Sequence, residues 1–82
     1  MIVRNEDIKE IIAEIPEGHR HIRTTVKFKD GIEYTFQEAA IAGLVRAFIE
    51  IKTHPTRKKI HLVNRHLLER KDGFAEWQLL EE

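Results

Sequence analysis

Residues 35–52, TFQEAAIAGLVRAFIEIK, constrain what this chain can fold into more than any other stretch. Ile41, Leu44, Val45 and Phe48 recur at helical spacing and make one strong apolar stripe. Thr35 and Glu38 have the spacing of a capping box, in which a hydroxyl and a carboxylate each satisfy one orphan backbone N–H. Residues 39–45 carry no charge, and Ala39, Gly43 and Ala47 form a second stripe of small residues four apart. A helix this poor in polar surface needs cover on more than one side. A sheet is expected to bury the large stripe. The Ala39/Gly43/Ala47 face is then left to meet a second helix or another copy of the chain. Gly43 lies inside the helix, where glycine costs about 1 kcal/mol against alanine, so close approach of another element is its expected role.

The second helix is expected upstream. Ile8, Ile11, Ile12 and Ile15 fall at i, i+3, i+4 and i+7, and Asn5 is a good N-cap with Glu6 and Asp7 behind it. The reading is a short amphipathic helix over about 6–14, ended by Pro16 and Gly18.

Residues 19–36 read as a hairpin. Ile22, Thr24, Val26 and Phe28 alternate with polar neighbours, as do Ile32, Tyr34 and Phe36 after the Asp30-Gly31 turn. A two-residue loop would set Lys29 against Ile32 and Lys27 against Tyr34. A three-residue loop, Lys29-Asp30-Gly31, sets Phe28 against Ile32, Val26 against Tyr34 and Lys27 against Glu33. The three-residue loop is therefore expected, with Gly31 in the left-handed region.

After the helix, Pro55 cannot continue it. Residues 57–70 fit a helix or a strand. Three cations at 57–59 would crowd a helix start, where the dipole disfavours them. The alternating Ala75, Trp77 and Leu79 beyond Asp72-Gly73 want a partner strand. A strand over about 59–70 is the better reading, and it makes a second hairpin. The tripeptide Lys-Asp-Gly occurs at both turns.

The expected fold is thus a single α+β domain over residues 1–82: a four-stranded antiparallel sheet of two hairpins with two helices packed on one face, in the order α-β-β-α-β-β. A chain of 82 residues buries only about 60% of its unfolded surface, so its stability margin is small. Such a sheet leaves edges, and pairing across an edge or between helices gives a two-fold dimer.

Composition narrows function by subtraction. The chain has no cysteine and no serine, so thiolate metal sites, disulfides and both common nucleophiles are absent. No glycine-rich phosphate loop or catalytic motif appears, and no stretch carries a motif specific enough to name a family. No apolar run approaches the ~18 residues of a membrane span, and the first ten residues lack a signal-peptide shape. A cytoplasmic protein is expected, without a cofactor. The abundance of Lys, Arg and Glu over Asn and Gln leans towards a heat-tolerant source.

Net charge is zero but unevenly spread. Residues 1–17 hold five acids against Arg4 and Lys9; residues 52–71 hold seven bases against Glu69; residues 72–82 hold four acids and no base. Internal neutralisation of the basic segment by the acidic end is the plainer reading. The sharper one is nucleic-acid binding through Lys52, His54, Arg57, Lys58, Lys59 and Arg65, since phosphate contacts need clustered cations. Against it, the aromatic residues read as core, which leaves no stacking platform. His19 and His21, two apart on a strand, are weak metal candidates without a third ligand. A small non-catalytic binding or regulatory module, homodimeric, is the expected function. Nucleic-acid binding comes next, and a metal protein or enzyme last.

Overall fold

A computed structural model describes residues 1–69 and 71–82. The chain divides into two units, Met1–Glu38 and Ala39–Glu82.

The first unit is a three-stranded antiparallel sheet of β1 (Ile8–Glu14), β2 (Arg23–Phe28) and β3 (Glu33–Gln37), with β2 in the centre. Where an N-terminal helix was expected, residues Asn5–Asp7 form a single 3-10 turn, closed by the Arg4 N–H donating to Asp7 Oδ2 at 3.0 Å, and β1 follows. A bulge accounts for the difference. Ile8 pairs with Phe28 and Glu10 pairs with Lys27, so Lys9 is an extra residue with no partner opposite. One inserted residue turns the two-residue period of a strand into a three-residue step. Ile8 and Ile11 therefore share a face while standing three apart, as they would on a helix. Isoleucine is also stiff at χ1 and favours the pleated surface.

The β2–β3 hairpin has the register that its sequence predicts. Val26 faces Tyr34 and Lys27 faces Glu33. The Phe28 N–H donates to the Ile32 carbonyl at 2.9 Å, enclosing the loop Lys29-Asp30-Gly31. Gly31 has φ +94°, and Asp30 Oδ1 accepts the Ile32 N–H at 3.0 Å. Pairing then sorts the sheet into two faces. Ile11, Val26 and Tyr34 stand in line on the apolar face, with Phe28 and Phe36 beside them; Ile12, Thr25 and Thr35 stand in line on the other.

The capping box does not form. Thr35 lies in β3, where its Oγ1 is 2.9 Å from Thr25 Oγ1, and helix α1 runs Glu38–Thr53. At its far end Thr53 Oγ1 donates back to the Ile49 carbonyl at 2.7 Å. His54 Nδ1 accepts the N–H groups of Thr56 (3.2 Å) and Arg57 (2.7 Å), which turns the chain at Pro55.

The second unit holds most of α1 with the antiparallel pair β4 (Leu62–His66) and β5 (Trp77–Glu81). Of the strand expected over about 59–70, only Leu62–His66 is strand; residues 59–61 and 67–69 are not, and the expected end at Arg70 lies outside the described residues. Between the strands the Phe74 N–H donates to the Lys71 carbonyl at 3.1 Å, and Gly73 has φ +87°. The expected fold is thus corrected: among the described residues, one α-helix and five strands in two separate sheets, in the order β-β-β-α-β-β, replace a single four-stranded sheet carrying two helices.

A lone two-stranded ribbon is marginal in water and needs a helix behind it. The small-residue stripe of α1 serves that purpose. Gly43 and Ala47 are half-buried, while Ala39 is exposed. A Cβ built on Gly43 would stand 2.6 Å from Leu79 Cδ1 and 3.4 Å from Leu79 Cβ. Glycine at 43 lets β5 approach the helix backbone. Gly43→Leu is therefore expected to lower stability by about 2 kcal/mol, as overpacking does, and adding Leu79→Ala should recover part of the loss. Urea unfolding of the two single variants and the double checks this. Strictly additive effects would mean that the two residues do not touch.

The large stripe has the opposite fate to the one expected. Leu44 is 61% exposed, Val45 47% and Phe48 63%, while Ile41 is half-buried; Ile49 beside them is 52% exposed. The hairpin took the small face of the helix, and the large face is open.

Candidate functional site

The basic segment is partly consumed by the fold. Arg57 Nε donates to the Lys59 carbonyl at 3.1 Å, Nη1 lies 3.7 Å from Glu50 Oε1, and Nη2 pairs with Glu81 Oε1. His54 spends its Nδ1 on backbone N–H groups. Lys52 lies in the last turn of α1, Lys58 and Lys59 follow the turn, and Arg65 lies on β4; all four are exposed. The acidic end thus reaches the basic segment at Arg57 through Glu81, and His61 Nδ1 lies 2.7 Å from Glu82 Oε2. Arg57→Ala is expected to cost about 1 kcal/mol, because the guanidinium ties helix, turn and β5 together at a partly screened site. A guanidinium free to meet an outside anion would be removed without thermal destabilisation, and a melting curve separates the two.

Three of the five histidines, His21, His61 and His66, pair with carboxylates. His21 Nδ1 is 2.5 Å from Glu38 Oε2, which ties β2's approach to the first residue of α1. His19 is exposed, and its backbone N–H closes the Pro16 turn at 2.9 Å. No group of three or more His, Asp or Glu able to hold a metal occurs among the described residues. A third pairing has no sequence signal that single-chain spacing could reveal: His66 Nε2 lies 2.6 Å from Glu76 Oε1, and the imidazole leans on the Trp77 ring with centroids 4.6 Å apart. Only the register of β4 against β5, which sets His66 opposite Trp77, brings them together.

The first unit has an apolar cleft of about 330 Å³ at the hairpin end of its sheet. It is lined by the apolar residues Met1, Ile2, Val3, Phe28, Ile32 and Tyr34 together with Asp7, Lys29 and Asp30. Phe28 and Tyr34 meet edge-on with centroids 6.0 Å apart.

The broadest feature is apolar surface. No described residue of the chain is buried. In the first unit Ile11 and Tyr34, in line on the apolar face of the sheet, are 58% and 56% exposed; in the second the α1 stripe is open. Large contiguous apolar surface is what distinguishes an interaction site from ordinary scattered exposure. No family model matches this sequence, and neither a curated protein nor a solved structure proves similar to it. No helix among the described residues is long and apolar enough to cross a membrane.

Proposed function

We propose that the chain is a small non-catalytic interaction module that folds and works as a homodimer. The observation that carries this reading is the lack of any buried residue among those described, beside two open apolar faces. Ordering a residue costs about 1–2 kcal/mol in backbone entropy alone, and apolar burial is the main term that offsets it. A chain whose described side chains are at most half-buried has only part of that offset until something covers it. A second copy is the cover always present at equal concentration, and two-fold dimers are the commonest assembly of a single chain. The absence of serine, cysteine and any metal-binding cluster among the described residues supports a binding role over a catalytic one.

Sedimentation equilibrium at micromolar concentration tests this reading. A species of twice the 9.7 kDa chain mass is expected. A well-folded monomer throughout the range would overturn it. Nucleic-acid binding is the second reading, and the exposed pair Lys58 and Lys59 favours it. It requires association with a duplex or single strand at low salt that weakens steeply as salt rises. The same protein showing no shift at low salt removes it.

A further inference from the structure

We infer that the open face of α1 is a two-fold interface with α1 of a second copy, the two helices antiparallel and centred on Val45. This inference rests on the homodimer reading and says which surface makes it. Glu38, Ile41, Val45, Phe48 and Lys52 stand at alternating spacings of three and four, which places them in one seam along the helix. Its three central members are apolar, and Val45 and Phe48 are exposed. The two ends carry opposite charges.

Charge fixes the direction. In a parallel pair Glu38 would meet its own copy, and so would Lys52. Like charges directly opposed are destabilising. Turned antiparallel about Val45, each Glu38 lies level with the partner's Lys52, because both stand seven residues from the centre, about 10 Å along the axis. Ile41 then lies beside the partner's Phe48, and Val45 meets its own copy at the axis. The contact is isologous, so it closes on itself and leaves no seam surface free to recruit a third chain. The Glu38 carboxylate also lies 2.5 Å from His21 Nδ1. The hairpin β4–β5 occupies the other side of the helix at Gly43 and leaves the seam clear.

The chain has no cysteine, so single introduced thiols report the geometry directly. Val45→Cys is expected to form a disulfide-linked dimer under mild oxidation. Ile41→Cys alone and Phe48→Cys alone should not, while a mixture of those two should cross-link to each other. Glu38→Lys and Lys52→Glu should each weaken the dimer about tenfold, and the double swap should restore it, although it removes the His21 contact. Self-linkage at all three positions would mean a parallel pair and overturn the inference. A dimer that cross-links at none of them, in single or mixed samples, and ignores the charge reversals would place the interface elsewhere, leaving the homodimer reading intact. A monomer would overturn both.

Discussion

Phe48→Asp is expected to lose about 3 kcal/mol or more of stability and to abolish the dependence of the unfolding midpoint on protein concentration. On the isolated chain this side chain is 63% exposed. A substitution at so exposed a position ordinarily changes stability by no more than about 0.5 kcal/mol. The larger expectation follows only if Phe48 is covered in the working protein. Truncating a covered phenylalanine costs about 3–5 kcal/mol, and a carboxylate in its place adds the penalty of desolvating a charge. Because association then adds to the stability of the fold, dilution lowers the midpoint of the natural chain and not that of the variant, which unfolds from a weaker monomer with no dimer left to lose. Arg46→Glu, on the same helix but outside the seam, is the control and should stay within about 0.5 kcal/mol. Urea titrations at two protein concentrations, followed by circular dichroism, give both readouts. A Phe48→Asp variant as stable as its parent would show that water is this ring's normal environment.

The contrast between Phe48 and Gly43 also shows what a single sequence can reveal. That the stretch 35–52 is largely helical is written in its own residues, although the helix begins at Glu38 and not at a Thr35 cap. Which face meets which partner is not. That choice depends on Leu79, about thirty-six residues away, whose side chain fills the space left by the missing Cβ of Gly43. The β2–β3 register was legible for the opposite reason: alternation, an Asp-Gly turn and the Lys27–Glu33 pair all lie within one short segment, and only the three-residue loop satisfies them together. β1 was misread because Lys9 interrupts its period, and one bulged residue makes a strand look helical. Among the candidate sites, Arg57 was visible as a cation, but its engagement by Glu50 and Glu81 is tertiary. The histidine–carboxylate pairs are likewise set by register and not by spacing.

The division of the three-stranded sheet into two faces carries the second large effect. Val26→Asp is expected to destabilise the protein by about 3 kcal/mol, and Thr25→Asp by about 1 kcal/mol. The residues are neighbours on the central strand, and both are half-buried. They differ in what lies across from them. Val26 stands between Ile11 and Tyr34, so a carboxylate there is placed in apolar surroundings with no cation on its face of the two facing residues. Thr25 stands between Ile12 and Thr35, and the same pleat carries Arg23 and Lys27 two residues to either side. A carboxylate at 25 forfeits the hydroxyl contact with Thr35 and some strand preference, but it gains cationic neighbours. Shifting β1 by one residue, which is what straightening the bulge at Lys9 would do, exchanges these environments along that edge. Equal losses at 25 and 26, measured by the same urea titration, would therefore refute the bulge as well as the face assignment. A threefold difference in the stated direction requires Ile11 and Tyr34 to be on one side of the sheet, and Glu10 and Glu33 on the other with Lys27.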